Sequence, residues 1–492
     1  MKRIIISHEV RQLFRSGAFR ALLLLVAGAI AFAAFSGQRS IDRQVEGAMA
    51  ATAFEDAQRA KMRADTEAYE ARLAAQGGEY EFAGARHAPG AGPPQGTNAG
   101  VVGAQTAKYL TLPPTGLASF AVGQSDIQLN YVPVSMNPTH TTTNNLELEN
   151  PLNLMTGSFD IAFVLIFLLP IFILAISYDL LSSEKERGTL AMILAHPISL
   201  KELLASKIIA RAGVLVASIL GLGLVALFAV GANLDSADTW ARFGLWITAT
   251  LLYSLFWFAM AVMVNVYGRN SAANGIALAG TWLALVVVLP TLVSLLATTI
   301  YPAPSRMELT VAARDAQTAA EKTYMARLDE YYYDHLEFIP EGDERATDFL
   351  TVAMANRNAI EKAVRPLYDE FQGQLNRQES LVQRFQFISP AIMMQLALNE
   401  VSGTSANRYE YFLNQAYDFH ARWGEYFSVK FLQRDPLTPA DYDRFPAFDY
   451  REEPFGAVLM RLVPSLLGMI VLLTGALLIP FLRLRRYQVA TS

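Results

Sequence analysis

Six histidines, His8, His87, His140, His196, His335 and His420, are the first residues to ask for chemistry. A zinc hydrolase needs two histidines one helical turn apart with a glutamate between them. His8-Glu9 opens that pattern, and no second histidine completes it. No G-x-x-x-x-G-K-[ST] loop occurs to cradle a nucleotide phosphate, and no G-x-S-x-G elbow presents a serine nucleophile. The sequence contains no cysteine, which excludes disulfides, thiolate zinc sites and cysteine nucleophiles together. The expectation is a chain that is not an enzyme, with no catalytic residue, metal site or cofactor of its own.

The remaining chemistry is that of contact. Tyr178 to Arg211 gathers charges, turn formers and an apolar periodicity into one short stretch. Ser183 with Glu186 has capping-box spacing, in which serine and glutamate each satisfy the other's free backbone N–H, and Ser199 with Glu202 repeats it. Leu190, Ile193 and Leu194 fall at i, i+3 and i+4, one apolar helical face. Pro197 ends that helix. This predicts a short amphipathic helix over 184–196, between two turns. Glu184, Lys185, Glu186 and Arg187 balance to zero charge, which favours docking into a partner's groove over lying on anionic lipid.

The elements that hold this stretch are apolar. The chain has 492 residues, 52% hydrophobic and 17% charged, with mean hydropathy +0.25. A soluble domain carries about 25% charged residues. Uncharged runs lie between Arg20 and Arg39, Asp160 and Asp179, Arg211 and Asp235, Arg242 and Arg269, Arg269 and Arg306, and Arg461 and Arg483. Each is long enough, or nearly so, for the roughly 20 residues of a membrane-spanning helix. Residues 21–36 exceed a signal-peptide core, and Ser36-Gly37-Gln38-Arg39 is a poor cleavage site, so this run reads as a retained anchor.

Lys and Arg gather beside the N-terminus, the loop after the second run and the C-terminus, which places both termini in the cytoplasm. The expected order is a cytoplasmic amphipathic helix over 1–20, spans at 21–36, 159–178, 211–233, 243–267, 272–298 and 459–482, a cytoplasmic loop at 179–210 and a tail at 483–492. Two outer segments, 37–158 and 299–455, make up the rest. The first should hold a long helix over 40–76, stopped by Gly77-Gly78, then an irregular Gly/Pro-rich loop over 83–116 and short strands near Ile127, Leu129 and Tyr131. The second reads as helical over 305–338, 344–388 and 390–432. Its aromatics, Tyr331-Tyr332-Tyr333, Phe371, Phe385 and Phe387, read as packing. The fold class is thus an all-α polytopic membrane protein with six transmembrane helices and a mainly helical extracytoplasmic domain built from two insertions. Polar residues inside or beside the runs (Tyr253, Ser254, Trp257, Asn265, Asn274, Asp160 and Asp179) read as helix-packing contacts. Net charge is −5, and no nucleic acid is expected as partner.

Glu184-x-Glu186-x-Gly188-Thr189-Leu190, followed by Leu194, Pro197, Ser199 and Lys207, resembles the signature between the second and third spans of ABC type-2 permease subunits. His8 to Ser16, with Glu9, Arg11 and Arg15, resembles the connecting helix before that family's first span. There Val10, Leu13, Phe14 and Gly17 would face the membrane while Arg11 and Arg15 stay solvated. The resemblance covers the membrane portion, and the two large insertions depart from the compact family pattern, as in a bacterial subgroup of permeases that shares them.

It implies that 184–196 is a coupling helix seated in a cleft on a separate ABC ATPase subunit, which binds the ATP and Mg. It also implies a second permease copy or paralogue, an exporting direction, residence in the cell inner membrane, and outer loops that guide cargo or bind a periplasmic protein. Two rivals are a membrane-anchored sensor with a helical extracytoplasmic ligand domain and an intramembrane enzyme. The sensor lacks a cytoplasmic output domain, and the enzyme lacks a paired carboxylate, a histidine cluster or a nucleophile elbow.

Overall fold

The computed structural model describes residues 2–80, 93–126, 129–137, 159–195, 199–268, 270–303, 306–322, 333 and 349–484. About 82% of it is helical, and six helices are long and apolar enough to cross a bilayer.

The chain opens with α1 (Lys2–Arg15) and turns at Ser16, whose hydroxyl caps the next helix by accepting from the Phe19 N–H. That helix, α2 (Gly17–Gln76), runs unbroken for 60 residues and ends at Gly77 in the left-handed conformation. The first span and the helix over 40–76 are therefore one rod. Nothing between Ser36 and Ser40 breaks a helix except Gly37, which is required for another reason. A Cβ there would sit 2.1 Å from the Ser119 carbonyl oxygen, where the turn 118–120 crosses α2.

The second span is α4 (161–177), started by Asp160, whose carboxylate accepts from Phe163 N–H at 2.7 Å and Val122 N–H at 2.8 Å. The short helices α5 (Ser182–Glu186) and α6 (Thr189–Leu194) follow. The spans α7 (Leu200–Ala229), α8 (Ala237–Tyr267) and α9 (Ser271–Ile300) come next, and α14 (Phe455–Leu484) closes the chain. α8 is the axis of the bundle, with Trp246, Tyr253, Trp257 and Phe258 all fully enclosed. By contrast, α2 and α9 turn large apolar side chains outward, such as Phe32, Phe35, Ile276 and Leu295.

Two spans widen into a π-turn, α4 at Val164–Leu168 and α9 at Leu283–Val288, each just before a proline, Pro170 and Pro290. Proline lacks the N–H that would satisfy a carbonyl one turn back, and its ring crowds that carbonyl. Side chains from neighbouring elements take the released oxygens. The Tyr253 hydroxyl donates to Ile166 O at 2.9 Å, Trp282 Nε1 donates to Phe167 O at 3.2 Å, and the Ser389 hydroxyl donates to Leu285 O.

Beyond the bundle, a head domain forms from the far half of α2, α3 (Ala99–Gln105), a two-stranded antiparallel sheet and α13 (Ala406–Leu432). β1 (Lys108–Thr111) pairs with β2 (Tyr131–Val134), Leu110 opposite Val132. α3 and β1 lie where an irregular loop was expected. Leu129 falls outside the strands, and Ile127 lies outside the described residues. Phe412, Phe419, Trp423, Phe427 and Phe431 recur along one face of α13 and pack on Leu110, Val132 and Val134. Glu55 ties α2 to this domain, accepting from Lys108 Nζ at 2.7 Å and Tyr109 N–H at 2.9 Å. Arg408 is braced by Glu452 at 2.6 Å. Burial pushes Glu452 up, but the Arg408 guanidinium more than reverses that, leaving the carboxyl below the ordinary glutamate range.

Two helices complete the second insertion, α10 (Arg306–Lys322) and α11 (Phe349–Phe385), which pack on each other through Ala313, Ile360 and Val364. Tyr331 and Tyr332 lie outside the described residues, and Tyr333 is exposed. One feature differs from an insertion lying wholly beyond the spans. The end of α11 runs back along α9, with Gln378 donating to Tyr301 O at 2.6 Å and Leu381 packed with Val293 and Ala297. The chain turns at 386–389 beside Leu285, halfway along α9. α12 (Pro390–Ser402) then climbs back, packed against α8 and α14, to Gly403. Phe385, Phe387 and Ile388 lie exposed at the tip of this hairpin. Its apolar run, from Phe385 to Asn399, is too short to cross a bilayer and so gave no signal of a span.

Candidate functional site

The stretch that sequence singled out lies where α4 ends and α7 begins. Ser199 and Glu202 form the expected capping box at the start of α7. Ser183 and Glu186 do not form one, since α5 begins a residue earlier and has no side-chain cap. The Glu186 carboxylate instead reaches the start of α9, accepting from Ser271 N–H at 2.6 Å and the Ser271 hydroxyl at 3.1 Å. A carboxylate at the positive end of a helix is favourable on charge grounds. Its competing partner was 85 residues away, so local spacing could not reveal it.

The helix expected over 184–196 is two pieces, α5 and α6, parted by Gly188 at φ +71°. Only glycine enters that conformation without steric cost. Leu190 is buried, and Ile193 and Leu194 pack on the core of the bundle, so the predicted docking face is turned inward. The outward face carries Arg187, Gly188, Met192 and Ala195, with Met192 65% exposed. Pro197 and His196 lie outside the described residues.

A ladder of charges fixes this loop to three helices. The Lys207 ammonium meets Glu184 at 2.9 Å and donates to Leu180 O at 3.3 Å, while the Thr189 hydroxyl donates to the other Glu184 oxygen. One turn further along α7, the Arg211 guanidinium bridges Glu9 at 2.8 Å and Asp179 at 3.0 Å and donates to Ile176 O. Glu9 is buried, so the connecting helix is locked to α4 and α7 by a shielded ion pair. Lys2 adds an exposed pair with Glu202 at 3.0 Å. Arg11 and Arg15 are exposed as expected, and Phe14 is half exposed. The bridging role of Arg211 was missed. Lys207 and Arg211 at i, i+4, facing Asp179 and Glu184 five apart, carried the signal.

Beneath the ladder, Asn265 and Asn274 form a polar joint. Asn265 accepts from Leu181 N–H at 3.2 Å and donates to Ser177 O at 2.9 Å, and Asn274 donates to Tyr178 O at 3.3 Å. Each seals backbone groups where α4 unwinds, which is the packing role expected of them. Tyr253, Ser254 and Trp257 are likewise enclosed between helices. Among the described residues, no group of three or more histidines, aspartates or glutamates is arranged to hold a metal. The loop offers a small exposed face at Arg187, Gly188, Met192 and Ala195.

A family model described as ABC-2 family transporter protein matches residues 3–484. Among curated proteins, the "Probable ABC transporter permease protein NosY" of Stutzerimonas stutzeri is 31% identical over 127 residues, 25% of this chain and 45% of that protein. The protein of the same name from Pseudomonas aeruginosa is 30% identical over 126 residues, 25% of this chain and 46% of its own length. The chain thus spans somewhat under half the length of the curated relatives it matches.

Proposed function

This chain belongs to the ABC-2 family of transporter proteins, and from that premise we propose that it is the permease subunit of an ATP-driven exporter. A separate ATPase subunit binds ATP and Mg, a second permease copy or close paralogue completes the membrane portion, and the loop 179–199 faces the cytoplasm together with both termini. The head domain and the hairpin then face the other side of the inner membrane, where they guide cargo or meet a periplasmic protein. The observation that carries this reading is the charge ladder. A knuckle exposed at Arg187, Gly188, Met192 and Ala195 is joined through Glu184–Lys207 and Asp179–Arg211–Glu9 to α1, α4 and α7, and through Glu186 to α9. A push on that knuckle reaches four helices at once, as coupling to a nucleotide-driven closure requires.

The face offered to the ATPase is Arg187, Gly188 and Met192, because the leucine face is spent inside the bundle. Because the chain has no cysteine, Met192→Cys can carry a single photo-cross-linker in native membranes. The expected product is an adduct with a P-loop ATPase, identified by mass spectrometry, and purified complex that hydrolyses ATP. Met192→Glu and Gly188→Arg should lose both while inserting normally. An adduct with lipid alone, or full ATPase association in both variants, would refute the proposal.

A further inference from the structure

The far half of α2 carries apolar residues on two opposite sides. Every seventh residue, Ile41, Ala48, Glu55, Met62 and Tyr69, faces the chain's own head domain, all buried but the half-buried Met62. The opposite face should be the most polar part of the helix. Instead it presents Ala50, Ala53, Ala57, Ala60 and Ala64, all exposed and spaced 3, 4, 3 and 4, the rhythm of a coiled-coil seam. Met49 and Phe54 flank it, 57% and 59% exposed. Among the described residues nothing packs on this face.

We infer that this face of α2 is the seam of a parallel, two-stranded coiled coil with α2 of a second copy of the chain. The inference rests on the pairing of permeases proposed above. Three observations fix the occupant as the same chain. Both copies of α2 rise from the same membrane as uninterrupted extensions of a span, so they are parallel and at equal height. Residue i then faces residue i of the partner, as a two-fold axis demands. In that register the flanking positions complement themselves. Met49 falls opposite Phe54 of the other copy, and Asp56, held by Arg59 at 2.8 Å on its own helix, falls opposite the exposed Lys61. Alanine in the seam lets two backbones approach more closely than leucine would.

The absence of cysteine makes the test clean. Ala53→Cys, Ala57→Cys and Ala60→Cys, each alone in the full-length chain in native membranes, are oxidised with copper phenanthroline. Each is expected to shift from monomer to disulfide-linked dimer on a gel, while Asp65→Cys, exposed on another face, stays monomeric and is labelled by maleimide. Equal dimerisation at Asp65→Cys overturns the inference. So does full maleimide labelling at 53, 57 and 60 without dimer, which marks a solvent face, and so does neither labelling nor dimer, which marks cover by another part of this chain. Co-purification of two differently tagged copies separates the two claims. If tagged copies co-purify and the seam does not cross-link, the seam alone is wrong. If they do not co-purify, the pairing fails and the seam with it.

Discussion

Arg211 holds two carboxylates and a carbonyl from its place at the mouth of the third span. Replacing it with methionine leaves Glu9 buried with no cation beside it. Breaking a shielded pair by removing one partner costs about 3 kcal/mol. Thermal unfolding of the detergent-solubilised chain should show that loss, and Glu9→Gln in the same chain should recover part of it, because the two act on one interaction. Glu452 makes a pH-dependent counterpart in the head domain. Its folded pKa lies below its unfolded value, so the pair with Arg408 contributes fully above the ordinary glutamate range. That contribution is lost as pH falls through the depressed folded value. A melting series through the acid range should therefore slope less steeply in Glu452→Gln than in the parent. At this scale the sequence was legible where partners are local. Ser199–Glu202 was visible three residues apart, and Glu186–Ser271 was not, because the bond that wins depends on how spans two and five pack.

Among the elements, the six spans were readable because an uncharged run of adequate length has few other stable solutions. Their ends and irregularities were less so. The π-turns before Pro170 and Pro290 need a donor from another helix, and composition does not show which one. Tyr253→Phe removes the donor to Ile166 O deep in the bundle and should cost about 1–2 kcal/mol, read as a lower melting temperature with unchanged helix content. Gly37→Ala should cost more. The added Cβ meets backbone at 2.1 Å, so α2 or the turn 118–120 must move. Loss of the folded fraction on size-exclusion chromatography would report it, and a wild-type elution profile would contradict it. The continuity of α2 through Gly37 was hidden because the charged residues from Arg39 onward look like the start of a separate helix.

For the whole molecule, the division into bundle and head was visible in the spacing of charged residues, but the joint between them was not. Arg242, almost wholly enclosed, pairs with Asp238 at 2.7 Å and donates to the carbonyls of Glu400 and Val401, while Arg461 holds Glu400 at 3.0 Å. These bonds fasten the top of α12 to α8 and α14, and the hairpin tip sits halfway down α9. A spin label at Phe387→Cys should consequently relax faster with oxygen than with a water-soluble nickel complex, the pattern of a site within the hydrocarbon. The opposite ranking would place the tip in water.

An unbroken helix of 60 residues is about 90 Å long at 1.5 Å per residue. It is clasped to α1 and α7 at one extremity and to the sheet and Asp443 at the other. With no joint along its length to absorb rotation, a tilt of about 10° at the membrane would sweep the distant extremity through about 15 Å by simple trigonometry on that length. Small rearrangements near the loop between α4 and α7 would thus arrive magnified at the head, which makes the far tip of this helix the most sensitive place to watch the proposed coupling by fluorescence distance measurement.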